Sequence, residues 1–383
     1  MKNVSHTDAY TPYDHFFLKA LRSVSRVVSV KKLTQPFWNR WRGGDISDKV
    51  LFDFLDSIKN LDDWSRAADQ LIAHEEAELD RDRADLDHDQ LVRRLRRMSY
   101  MSNLAHWGIM PLNDAKLRSY TKSRDYYIEA ETLAFGDRYQ RLHIPWNDQE
   151  FPANLHLPEG QGPFPLVMII HGLDDCKEEH LATELAMLNA GFAVICFDGP
   201  GQAEAFLLDN IYWSDRFPEM VGAILTTLSG YPVDTSRVGI MGTSIGALWG
   251  FSAASGDDRI KAIYDLGAPI NTKSFSRVPF IIKSKICQIT GAKTDAEIKH
   301  VLSKNYIDRT EILSGIPAAI RIVMGAKDRV VPLRDKYWLR DELIRIGASR
   351  DVSMRVFDDG DHCCTNHIPE LRDDMAAFFK EHI

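Results

Sequence analysis

The stretch "RVGIMGTSIGALWG", residues 237–250, leaves an apolar run, turns through Gly-Thr-Ser-Ile-Gly and enters a second apolar run. Two readings compete for it. It is either an ordinary small-residue turn between a strand and a helix, or a turn that presents a nucleophile. Gly242 and Gly246 flank Ser244 in the pattern G-x-S-x-G. Where a strand turns sharply into a helix, a side chain at either glycine has no room. The serine is forced into a strained, exposed pose, and the start of the helix favours developing negative charge. The pentapeptide alone recurs by chance, so its weight depends on the surrounding elements.

Those elements repeat one rhythm. "FPLVMIIHG" (164–172), "FAVICFDGPG" (192–201), "IKAIYDLG" (260–267), "AAIRIVMG" (318–325) and "VSMRVFDDG" (352–360) read as buried strands. Between them lie amphipathic helices over 178–191, near 212–229, after Ser244 to Ala254, over 333–347 and from Pro369. Apolar strands alternating with such helices predict an α/β fold, a mostly parallel doubly wound sheet covered on both faces. Residues 270–316 interrupt the alternation and read as a helical insertion over the sheet's edge. "DYYIEAETLAF" (125–135), "RYQRLHIPW" (138–146) and "FPANLHLP" (151–158) read as short strands leading into the core. Residues 1–125 instead carry apolar residues at three- and four-residue spacing, with acids and bases between them suited to wet helix faces. The expected division is a helical region 1–125 and a core 126–383.

Composition bounds the partners. The 383 residues have a formal charge of −8, with 44% hydrophobic and 27% charged residues. That balance argues against a nucleic-acid or anionic-membrane partner, which demands a basic face. No signal-like segment and no apolar run long enough to span a bilayer occurs. The five cysteines form no regular framework, so free thiols in a cytoplasmic, reducing setting are expected.

In a doubly wound sheet ligands gather at the carboxyl ends of the strands. A serine hydroxyl there needs a base, and the base an orienting carboxylate. Asp328, in "AKDRVVP", follows the strand 318–325, and His362, in "DHCC", follows the strand 352–360. The order serine, acid, histidine suits this topology. Asp265 is a rival acid and His367 a rival base. His171-Gly172 ends the first long strand, so the backbone amides of Leu173 and Ile245 are candidate oxyanion donors. "His362-Cys363-Cys364…His367" lacks the second ligand pair of a zinc site, and "DGPGQAEA" (198–205) lacks the lysine of a phosphate loop. No metal and no cofactor is expected. Trp64, Trp107, Tyr100, Tyr126 and Tyr127 read as packing aromatics, with lining of an aromatic substrate site as the alternative.

With these residues in view, the sequence resembles the α/β-hydrolase superfamily. More narrowly it is similar to the group of 2,6-dihydroxypseudooxynicotine hydrolase and the fungal pigment-pathway chain-shortening hydrolases. The narrower likeness rests on "GGDISDKVLFDFLDSI" (43–58) followed by Trp64, on residues 171–205, on "GIMGTSIGALWG" and on "GAKDRVVP". It covers roughly residues 40–383. The resemblance implies a helical lid, no cofactor, a homodimer and a small-molecule substrate. It also implies hydrolysis of a carbon–carbon bond beside a ketone, or of an ester, with Ser244, Asp328 and His362 as the triad. A non-hydrolytic ligand-binding or cyclising role is the third reading. Ala203 stands where such sequences usually carry glycine, and no residue matches the further active-site acid of some members.

Overall fold

The computed structural model describes residues 12–42, 46–109, 112–271 and 280–383. The chain divides into two compact units, Met1–Tyr139 and Gln140–Ile383.

The first unit is helical. Its main helices are Asp48–Ser57, Trp64–Asp82, His88–Gly108 and Asp114–Phe135. Side chains start three of them: Ser47 accepts from the amide of Val50, Asp87 from that of Gln90, and Asn113 from that of Lys116. Trp41, Trp64 and Trp107 pack with Phe54 in its core. The indole of Trp64 donates to the carbonyl of Ala105 at 3.1 Å. A Cβ on Gly108 would stand 1.8 Å from the Trp64 ring, so the helix can pass there only as glycine. Tyr100 and Tyr127 are buried and Tyr126 donates to Glu76 at 2.6 Å, so these aromatics pack.

Two expectations change in this unit. Residues 125–135 are not a strand; they are the second half of the helix Asp114–Phe135. The division between units accordingly falls after Tyr139 rather than after residue 125. Nor do all the charges face water: Glu131 is buried and takes both nitrogens of the Arg96 fork at 2.7 Å.

The second unit is built on a sheet of eight strands in the order β1-β2-β4-β3-β5-β6-β7-β8. They are β1 (Tyr139–Trp146), β2 (Gln149–His156), β3 (Phe164–Ile170), β4 (Ala193–Phe197), β5 (Val233–Thr243), β6 (Ile260–Leu266), β7 (Ala319–Gly325) and β8 (Val352–Phe357). β2 runs antiparallel to β4, and every pairing from β4 to β8 is parallel. All five residues of β4 and the last five of β3 are fully buried, as a parallel sheet covered on both faces requires. The helix expected near 212–229 begins later, at Phe217, with Pro218 in its first turn.

The insertion between β6 and β7 contains the helices Phe280–Thr290, Asp295–Ser303 and Thr310–Leu313; residues 272–279 lie outside the described residues. It does not lie over the sheet's edge. β6 and β7 are adjacent inner strands, and Lys285 pairs with Asp174 beyond β3 at 3.1 Å while Ile289 abuts Gly201 beyond β4. The insertion therefore packs over loops at the carboxyl ends of the strands, the face on which ligands of such sheets bind.

Candidate active site

Ser244 stands between β5 and the helix Ile245–Ala254, with φ 51° and ψ −118°. This backbone region is costly for a residue with a Cβ and persists only where neighbours enforce it. The enforcement is visible. The amide of Ser244 donates to the carbonyl of Leu266 at 2.8 Å. A Cβ on Gly246 would lie 2.0 Å from the carbonyl oxygen of Ile170, so the turn abuts the end of β3 backbone to backbone. Ser244 takes the N-cap position, yet its side chain caps nothing. The hydroxyl is instead 3.1 Å from Nε2 of His362.

His362 follows β8 and Asp328 follows β7. The two loops are tied together by the amide of Lys327, which donates to the carbonyl of Gly360 at 3.0 Å. Nδ1 of His362 lies 2.8 Å from Oδ2 of Asp328. Oδ1 of Asp328 accepts from the amides of Val330 and Val331, at 2.7 and 2.9 Å. That leaves the carboxylate one free face, and the imidazole occupies it. Burial opposes charge on the His362 ring, but the Asp328 carboxylate beside Nδ1 outweighs it and holds the ring above its ordinary value. Burial pushes the Cys363 thiol up, so the carboxylate is the charge that acts on the ring at neutral pH.

The rivals are engaged elsewhere. Asp265 pairs with the buried amine of Lys336 at 2.5 Å and accepts from the amide of Ala268. His367 stacks on Phe357 and bonds Asp359 at 2.8 Å. Asp361 accepts from the amide and hydroxyl of Thr365 and so shapes the turn that carries His362. A Cβ built on Gly172 would lie 3.8 Å from Cβ of Ser244, which brings the loop after β3 alongside the serine. The amides of Leu173 and Ile245 have no acceptor among the described residues.

Beneath that loop lies a buried charge network that sequence reading missed. Lys177 is fully buried, its amine 2.7 Å from Asp198, 2.6 Å from Glu204 and 2.8 Å from Glu178. Arg141 also reaches Glu204. Burial alone would raise the Glu204 carboxyl, but Lys177 and Arg141 hold it down to about 2. Asp198, Gln202 and Glu204 all come from the stretch read as a bare glycine turn. His171, Asp175 and His180 also gather within 4.8 Å, with the residue types of a metal site. Both ring nitrogens of His171 are already bonded to protein acceptors, so that ring offers a metal no lone pair.

Residues 179–383 match the model of the prolyl oligopeptidase family. The chain belongs to that family, and its fold is the α/β-hydrolase fold. Among curated relatives it is 29% identical over 227 residues to 2,6-dihydropseudooxynicotine hydrolase of Paenarthrobacter nicotinovorans, covering 56% of this chain and 57% of that protein. It is 30% identical over 146 residues to hydrolyase poxO of Penicillium oxalicum, covering 36% and 34% respectively. The matched part thus spans little more than half of the first relative and a third of the second. The crystal structure of 2,6-dihydroxy-pseudo-oxynicotine hydrolase superposes with a TM-score of 0.76 at 22% identity, over 89% of this chain and 94% of that one. AbyA5 superposes with a TM-score of 0.70 at 16% identity, over 88% and 91%. Among the described residues no helix is long and apolar enough to cross a membrane.

Proposed function

We propose that the protein is a serine hydrolase that cleaves a carbon–carbon bond beside a ketone in an aromatic or polyketide-like substrate, through an acyl-enzyme. The observation that carries this reading is the imidazole of His362, 3.1 Å from the hydroxyl of Ser244 and 2.8 Å from the carboxylate of Asp328. In this reading Nδ1–H donates to Asp328, which leaves the Nε2 lone pair to accept the serine proton. Ser244 attacks the carbonyl carbon, and the amides of Leu173 and Ile245 receive the oxyanion. His362 then protonates the departing group, and water, deprotonated by the same ring, releases the acid. A departing carbon is tolerable only when its electron pair is delocalised into a second carbonyl or a phenolic ring. The preference for a carbon–carbon bond rests on the likeness to the dihydroxypseudooxynicotine hydrolase group.

The rest of the proposal follows that likeness. The N-terminal helices serve as a lid that selects the substrate, and the enzyme works as a cytoplasmic homodimer. The five cysteines are buried and form no disulfide among the described residues, which favours a reducing setting. The test compares aryl β-diketones with nitrophenyl esters. Diketone cleavage that disappears in Ser244→Ala supports the proposal; rapid ester turnover with no diketone cleavage overturns the choice of bond.

His362 works as a base only when neutral, and its proton is held more tightly than in free histidine. We expect kcat/KM to fall with decreasing pH along a single-proton limb centred above the usual histidine value of about 6.5. Asp328→Asn should move that limb down and lower kcat about 10⁴-fold. Stability runs the other way: the His362–Asp328 interaction supports the fold below the unfolded pKa and is lost as pH rises through the folded one. A pH–rate profile of both proteins checks this, and a limb that does not respond to Asp328→Asn would contradict it.

A further inference from the structure

We infer that Gln202 is a positioning residue that, together with His171, fixes the Gly172–Leu173 peptide so that its N–H is the pre-aimed oxyanion donor. This rests on the reading of Ser244 as a nucleophile. Among the described residues, every polar group but one in the two peptide units after β3 has a partner. The His171 carbonyl accepts from Nε2 of Gln202 at 2.8 Å, and the Gly172 amide donates to Asp175 at 3.1 Å. The Gly172 carbonyl accepts from Nε2 of Gln202 at 2.8 Å and from the amide of Asp175 at 3.4 Å, and bonds Nδ1 of His171 at 3.0 Å. The one remaining group, the amide of Leu173, has no acceptor among the described residues.

A trans peptide directs its C=O and N–H to opposite sides. Three donors, from Gln202, His171 and the Asp175 amide, hold the Gly172 carbonyl on the buried side, so the Leu173 N–H must point the other way, out of the network. Gly172 is the residue that approaches Ser244.

The clamp is itself rigid. Gln202 is fully buried, and its Oε1 accepts from the amide of Gly199 at 2.7 Å. One donor and two carbonyls around a single amide forbid a flipped orientation. His171 is held from its far side by Asp198, 2.9 Å from Nε2. A carbonyl on Nδ1 and a carboxylate on Nε2 are both acceptors, so the ring is satisfied only as the imidazolium. Burial opposes that charge, but the bond to Asp198 outweighs it and raises the ring above its ordinary value. Asp198 in turn is anchored by the amine and amide of Lys177. Preorganised donors matter because they need no reorganisation when charge develops.

Gln202→Met keeps the side-chain volume and removes both ends of the clamp. We expect kcat to fall about tenfold to a hundredfold, with KM within about threefold. Affinity for an aryl trifluoromethyl ketone, which forms a tetrahedral adduct on serine, should fall in parallel. Affinity for the matching methyl ketone should not change, whereas a merely structural role would weaken both. A second arm needs no variant. In the wild-type protein, hydrogen exchange at the Leu173 amide should slow when the trifluoromethyl ketone adduct forms. A wild-type protein whose Ser244 takes no fluorophosphonate would overturn the nucleophile reading and this inference with it. Labelled Ser244, with unchanged kcat and ketone affinity in Gln202→Met or no slowed exchange at Leu173, would overturn this inference alone.

Discussion

Ser244→Ala should lower turnover by about five to six orders of magnitude and leave the fold intact. The size of the loss follows from interdependence. Without the hydroxyl, His362 has no proton to take, and only substrate binding and the proposed donors, the amides of Leu173 and Ile245, remain to assist water. The fold should tolerate the change because the hydroxyl caps no helix and its one partner among the described residues is the imidazole. Alanine also keeps the Cβ, so the positive φ at this position is neither eased nor worsened. Steady-state turnover and thermal melting, measured side by side, check both halves. Residual turnover above about a tenth of wild type would place the chemistry elsewhere.

Lys177→Met should cost the fold about 3–5 kcal/mol. Three carboxylates, Glu178, Asp198 and Glu204, surround the amine where water does not reach. Taking away the cation leaves His171 and Arg141 as the compensating charges we find around Asp198 and Glu204. At neutral pH we expect the melting temperature to fall by roughly 10 °C. The pH dependence has a definite sign. Glu204 is held down to about 2, so its contribution is present above the ordinary glutamate range and is lost as pH falls toward 2. The gap between wild type and Lys177→Met should therefore narrow on acidification. A melting temperature unchanged within about 2 °C would mean that the network does not bear on stability.

The core was legible because its strands are uninterrupted apolar runs, a pattern imposed by burial on both faces. The Ser244 elbow was legible for a different reason: backbone contacts as close as that of Gly246 to Ile170 exclude every side chain, and the glycines record it. The helix Asp114–Phe135 was hidden. Its buried positions Ser119, Tyr120, Ser123, Tyr127, Ala130 and Glu131 keep helical spacing, but half are polar, and two of these pair across the unit, Ser123 with Ser99 and Glu131 with Arg96. Hydrophobic periodicity therefore faded, and Tyr126-Tyr127-Ile128 read as strand. The network around Lys177 was hidden likewise. A run such as "DDCKEEH" reads as solvated until its partners, Asp198 and Glu204, fold onto it from the next loop. Pairing at a distance leaves no local periodicity, so the residues that bring Ser244, Asp328 and His362 together were predictable and those that hold the neighbouring loop were not.

In the proposed mechanism the imidazole of residue 362 activates the hydroxyl of residue 244. Mass spectrometry of folded protein treated with a fluorophosphonate tests it most directly. We expect a single phosphonyl group on the tryptic peptide bearing Ser244, with its formation slowed at least about a thousandfold in His362→Ala. Folded wild-type protein that stays unmodified at Ser244, or that is modified equally fast without the imidazole, would contradict it.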